Sequence, residues 1–260
     1  MLQQTRVETV FAYYEPFLKL FPTVDILARA KSKAVLKAWE GLGYYRRILH
    51  LHRAARMVCE GGGGIPTTGG ELRELPGVGE YTAAAVASIA FGRPEAAVDG
   101  NVARVISRLV QLPLPPSAPA GKKAIHEIAA TLLDRKRPGD FNQAWMDLGS
   151  MICTPRAPKC EQCPLLAHCA AGRAGDAESY PQRDTNKRIV VRPMRLVVGV
   201  FRHERKLLVR RRAEGGLWSG LWEFPAIEVD PQQSADSAVE RIAGVAGVQI
   251  VSKPRHLGQV

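Results

Sequence analysis

The chain of 260 residues contains no apolar run approaching the roughly 18 residues that a membrane-crossing helix requires. Its start, MLQQTRVETV, lacks the basic opening and apolar stretch of a secretory leader. These absences leave no membrane role, and a reducing, cytoplasmic setting is the expectation. Acidic residues are outnumbered, 25 against 36 Lys and Arg, so a formal net charge of +11 favours a polyanionic partner. Cysteine is scarce as well. Of only five, four crowd into seventeen residues as Cys153, Cys160, Cys163 and Cys169, a grouping that in a reducing compartment points to a metal rather than to disulfides. Cys59 stands alone in an apolar stretch and reads as a small core residue.

What is present divides the chain in two. The first 171 residues read as successive helices, with apolar stripes such as Val7, Val10, Phe11, Tyr14, Phe17, Leu18 and Phe21, or Val102, Val105, Ile106, Leu109 and Val110. Pro22, the four glycines 61–64, LPGVG at 75–79 and the proline run near 113–116 punctuate them, and the glycine run reads as a flexible connection. Residues 172–190 are small, polar and charged, the texture of a linker. From 191 to 260, RLVVGVF and KLLVRRR read as a hairpin around His203 and Glu204, and SADSAVERIAGVAGV as a helix, giving an α+β unit.

Several stretches carry chemistry. In LPGVG, Gly77 and Gly79 permit positive φ and a close approach of backbone amides at the start of a helix, an arrangement suited to a phosphate; a plain turn between helices is the simpler alternative. Twenty residues on, Asp99 precedes Gly100 and Asn101 at the head of an amphipathic helix, where an aspartate is otherwise an ordinary N-terminal cap. Four thiolates spaced x6, x2 and x5 can hold a 4Fe-4S cluster or a structural zinc.

LPGVGEYTA together with VDGNVARV resembles the helix-hairpin-helix DNA glycosylase superfamily, and the cysteine spacing is similar to that superfamily's cluster loop. The resemblance implies a mainly α fold, a helix-hairpin-helix glycosylase domain with a 4Fe-4S loop, and assigns Asp99 a catalytic carboxylate's role against oxocarbenium-like charge on the sugar. Tyr81 stands where lyase members carry a Schiff-base lysine, and residues 75–92 contain no lysine, so base removal by water is implied. MLQQTR, WEGLGYY at 39–45 and FNQAWMDLG at 141–149 resemble the adenine-specific branch in particular. There Gln4, Thr5 and Tyr44 would meet DNA and wedge the stack, with Gly77, Gly79 and Asn101 as further DNA contacts, and Gln143 and Asp147 would shape an adenine pocket. The implied partner is double-stranded DNA containing adenine opposite 8-oxoguanine or guanine, met by a monomer in a bacterial-type, nucleoid-associated location. An endonuclease III-like glycosylase with lyase activity and a noncatalytic mispair-binding fragment are the alternatives.

GLWSGLWEFP at 216–225 resembles the opening of a Nudix-like domain that reads 8-oxoguanine. The magnesium-binding glutamates of a working Nudix helix would fall on Gly244 and Val245, so recognition rather than hydrolysis is implied. In the adenine-specific branch a general-acid glutamate stands two residues before the first methionine of this chain, and a Phe-Ser-His-like loop lies beyond its end. A polypeptide confined to these 260 residues is therefore expected to bind DNA yet excise adenine very poorly.

Overall fold

The computed structural model describes all residues except 2–4, 6, 185–192, 214–219, 231–235 and 259–260. It forms two units, Met1–Asn186 and Lys187–Val260. The first is helical: α1 (Val7–Leu20), α2 (Val24–Arg29), α3 (Ser32–Ala38), α4 (Arg46–Glu60), α5 (Gly69–Leu72), α6 (Glu80–Phe91), α7 (Gly100–Leu109), α8 (Pro119–Leu132), α9 (Pro138–Asp147) and α10 (Ala170–Ala174). Its starts follow local chemistry. The Thr23 hydroxyl accepts from the Ile26 amide ahead of α2, and Thr68 and Glu71 form a reciprocal capping box at α5.

Two apolar clusters hold this unit together. One gathers Phe17, Leu27, Val35, Trp39, Leu42 and Ile48 from α1 to α4, with Phe17 edge-on to Trp39 at 6.1 Å between ring centroids. The other joins α7 to α8 through Val102, Ile106, Ile125 and Ala129. Asn142 on α9 ties the clusters' neighbours to each other. Its buried amide donates to Ser88 Oγ and the Glu95 carbonyl, both at 2.8 Å, and accepts from the Ala97 amide at 3.0 Å. That link fixes the extended segment leading into α7, and so the position of Asp99.

Three sequence expectations are corrected here. The α1 stripe is only half core: Val10, Phe17 and Phe21 are buried, whereas Val7, Phe11, Tyr14 and Leu18 lie on its other edge and are exposed. An apolar stripe this broad covers more of the helix than its described neighbours do. The glycine run is no slack connection, for Gly63 donates to the Val58 carbonyl at 2.7 Å, and positive φ at Gly62 and Gly63 closes the end of α4. The described part of the 172–190 stretch belongs to the first unit. Gln111 Nε2 holds both Asp176 carboxylate oxygens at 3.1 and 2.9 Å, and Arg108 reaches the Tyr180 carbonyl. Polar texture signalled a linker because these partners are more than 60 residues away in sequence.

In the second unit, β1 (Arg195–Val198) pairs antiparallel with β6 (Ala226–Val229), β2 (Arg202–His203) with β3 (Lys206–Leu207), and β4 (Arg210–Arg211) with β5 (Trp222–Glu223). The turn around Glu204 is present, but RLVV pairs with the distant AIEV rather than with KLLVRRR. Alternation identifies a strand without identifying its partner. The helix α11 (Val239–Ala246) sets Ile242 beside Val229 and Ala238 in a small core.

His52 of α4 is buried against the end of α2, and among the described residues its Nε2 has no hydrogen-bond partner. Burial, and secondarily Arg56, lowers its pKa despite the opposing carbonyls of Ala28, Ala30 and Leu27. A lowered folded-state pKa leaves stability intact above the unfolded value near 6.5 and removes it as pH falls through the folded value. His52→Gln is therefore expected to lose less stability than the parent between about pH 7 and pH 5, read from denaturant midpoints at each pH.

Candidate functional site

The turn between α5 and α6 is the hairpin anticipated from LPGVG. Gly77 has φ +78, and a Cβ there would stand 2.6 Å from the Cβ of His50 on α4, so the turn rests directly on that histidine. Gly79, itself exposed, caps α6 in an extended conformation with no side-chain cap bond, so the first amides of the helix have no partner within it. Arg46 and Arg53 flank His50 on α4, and together with burial they depress its pKa. Burial contributes most. The imidazole thus rests against a turn at a helix start, where the dipole presents positive potential.

Asp99 begins α7. One carboxylate oxygen accepts from the Val102 amide at 2.7 Å, and the other from Asn101 Nδ2 at 3.0 Å. Its cap role and its place in the site coexist, since capping engages a single oxygen. Tyr81, half-buried on α6, donates to Met146 Sδ of α9 at 3.3 Å. Burial, and then the negative charge of Asp99, raises its pKa, which places the phenol within electrostatic reach of that carboxylate.

Asn101, expected among the DNA contacts, is half-buried and also bonds within the fold. Its amide oxygen accepts from Arg104 Nη2 at 3.0 Å while its nitrogen holds Asp99, so it positions the carboxylate. Arg104 continues the chain of contacts to the Gly149 carbonyl and, through Nε, to the Cys153 carbonyl at 2.9 Å. A π-helical turn at Leu148–Ile152 makes this possible by swinging the chain back to α7 directly after α9. Gly149 allows the approach, because a Cβ there would lie 2.8 Å from the Cβ of Asn101.

Tyr44 is exposed with φ +47, in a loop bent by positive φ at Gly41 and Gly43. The Arg47 guanidinium lies 5.3 Å from its ring centroid and 5.4 Å from that of Trp39. A bulky residue in that backbone region is strained, and the neighbouring cation helps to hold it there. Thr5 is half-buried, and Gln4 lies outside the described residues. Gln143 and Asp147 are exposed one turn apart on α9; Gln143 donates to the Gly139 carbonyl, and among the described residues neither is hydrogen-bonded to Asp99 or Tyr81. Met146, Arg104, Arg108 and His50 were missed by sequence reasoning. The available signal was the pair of arginines one turn apart on a strongly apolar helix face.

The four cysteines line one pocket with Val105, Leu109, Leu148, Ile152, Leu165 and Leu166. The four thiols thus share the lining of a single pocket. Sulfur hydrogen bonds come from Arg108 Nη1 to Cys153 and from the Gly172 amide to Cys169, both at 3.3 Å. Four sulfurs, apolar walls and N–H donors fit an iron-sulfur cluster better than zinc.

Residues 1–129 match the model of the HhH-GPD superfamily of base excision DNA repair proteins, and residues 153–169 match the iron-sulfur binding domain of endonuclease III. The adenine DNA glycosylase of Homo sapiens is 35% identical, covering 100% of this chain and 56% of its own length. That of Arabidopsis thaliana is 36% identical over 94% of this chain and 43% of its own, and that of Schizosaccharomyces pombe 37% over 88% and 58%. The chain thus spans about half the length of these relatives. Among solved structures, a thermostable thymine-DNA glycosylase superposes with a TM-score of 0.61 at 32% identity, over 66% of this chain and 80% of that one. An endonuclease III in a non-covalent DNA complex shares the fold, with a TM-score of 0.56 at 24% identity over 66% and 79%. The chain belongs to the HhH-GPD superfamily of base excision DNA repair proteins and carries that superfamily's 4Fe-4S cluster loop.

Cys160→Ala is expected to abolish visible absorbance near about 400 nm, whereas Cys59→Ala, on α4 beside Asp25, leaves it unchanged. Gly149→Ala should cost about 1–3 kcal/mol in stability by overpacking against Asn101, measured by denaturant unfolding.

Proposed function

We propose that this chain is the base-removing portion of an adenine DNA glycosylase, hydrolysing the N-glycosidic bond of adenine opposite 8-oxoguanine or guanine without a Schiff-base step. The observation that carries the proposal is the placement of Asp99. It stands at the head of α7, fixed by two hydrogen bonds, with the Tyr81 phenol in its field and the hairpin one helix earlier. A pre-oriented carboxylate stabilises positive charge developing on a deoxyribose, because its orientation is settled before the charge appears. Tyr81 occupies the lyase position and is poorly disposed to lose its proton, so no amine nucleophile is available there.

The relatives named adenine DNA glycosylase support the choice of base. The hairpin amides at Gly77 and Gly79 would grip a phosphate, and exposed Tyr44 would press into the stack as the adenine leaves it. The second unit adds a polyanion-binding surface. Its residues 195–212 hold seven Lys and Arg against one acidic residue, with Trp222 exposed opposite Arg211. We assign this unit to recognition of the opposing base, on the Nudix-like resemblance of GLWSGLWEFP, whose residues 216–219 lie outside the described residues. A cytoplasmic, monomeric protein acting on duplex DNA completes the proposal.

Asp99→Asn is expected to reduce single-turnover adenine release from an adenine:8-oxoguanine duplex at least about a hundredfold. The same substitution should erase tighter binding to a duplex bearing a cationic pyrrolidine than to one bearing a neutral tetrahydrofuran. Equal preference in parent and variant would remove Asp99 from this role. A borohydride-trapped covalent complex with DNA would favour a bifunctional, endonuclease III-like enzyme instead.

A further inference from the structure

Arg108 is only 2% exposed, and every group its guanidinium meets is neutral or a thiol. Nε donates to the Tyr180 carbonyl at 3.0 Å, Nη2 to the Pro155 carbonyl at 3.0 Å, and Nη1 to the Thr154 carbonyl at 2.7 Å and to Cys153 Sγ at 3.3 Å. Among the described residues no carboxylate pairs with it. One turn earlier on the same helix, Arg104 is likewise buried and likewise held by carbonyls and an amide oxygen. Arg104 has Asp99 in its field through Asn101, but Arg108 has no such carboxylate among the described residues, and a buried guanidinium without one is an arrangement that folds avoid unless an opposite charge is supplied.

The pocket that Arg108 lines is where such a charge belongs. Its four cysteines, when they ligate a metal group, do so as thiolates, and the assembly of four thiolates with the cluster is anionic. We propose that Arg108 is the buried counter-charge of the iron-sulfur cluster, fixing its reduction potential through the Cys153 sulfur and making closure of the 153–180 loop conditional on the cluster's presence. The inference rests on the cluster assignment of the four cysteines. Arg108 is a positioning residue here: it acts through Cys153 and through the carbonyls of the loop, without touching DNA.

Charge and hydrogen bonding separate in two variants of the cluster-loaded chain. Arg108→Gln removes the cation. A nearby positive charge favours the reduced, more negative cluster, so its loss is expected to shift the reduction equilibrium about tenfold toward the oxidised form, about 59 mV for one electron. Arg108→Lys keeps the charge and loses the planar fork, so the potential should stay near that of the parent while iron is lost to a chelator at least about tenfold faster. Protein-film voltammetry and anaerobic chelation followed by visible absorbance read the two effects. A potential unchanged in Arg108→Gln would overturn the proposal; an iron-free parent would remove the cluster assignment and the proposal with it.

If neither variant retains iron, the parent itself provides the test. Anaerobic stripping should accelerate hydrogen exchange at the amides of Cys153, Lys159 and Cys163 at least about tenfold, while the amide of Ile106 in α7 keeps its protection. A stripped protein whose loop amides remain as protected as before would overturn the inference.

Discussion

Two guanidinium groups one turn apart on α7 hold together parts of the chain that lie far apart in sequence. Arg104 and Arg108 reach forward 45 to 72 residues, to Gly149, Cys153, Thr154, Pro155 and Tyr180. The head of the same helix is Asp99, joined to Arg104 through Asn101. One short helix therefore carries the candidate catalytic carboxylate at its start and the wall of the cysteine pocket along its side. A lysine could not replace either arginine in this role. Its single ammonium lacks the planar fork that lets Arg108 hold four carbonyls and a sulfur from one fixed position.

This dependence explains what could be read from sequence and what could not. The hairpin, Asp99 and the cysteines were legible because each is specified locally: glycine where φ is positive, an acid before a helix, sulfur at fixed spacing. Arg104 and Arg108 were not. A charged residue on an apolar helix face looks like a stray surface group until its distant partners are known, and those partners are backbone carbonyls, which no side-chain pattern announces. The bond between Asn101 and Arg104 was hidden for the same reason, since neither residue announces the other in the sequence.

Errors of fold had a different origin. Periodicity identified the helices of the first unit but could not say which edge of a broad stripe would be covered, and so Phe11 and Tyr14 were placed inside. In the second unit, strand alternation was correct where pairing was not, since β1 finds its partner some 30 residues away. Salt bridges from Arg210 and Arg212 to Glu223 across the β4–β5 ladder reinforce that nonlocal arrangement. They are partly exposed and contribute modestly, so registry is the better description of their effect.

The contact between His50 and Gly77 gives the hairpin an adjusting screw. Residue 77 has no side chain because the ring and Cβ of residue 50 already fill that space, so the height of the turn above α4 is set by the size of the group beneath it. A smaller side chain at 50 would let the turn settle, and a larger one would lift it, moving the exposed backbone of Gly77 and Gly79 together without altering their sequence. Divergence in grip can thus be written on the back of the motif, at a position that a comparison of hairpin sequences alone would pass over.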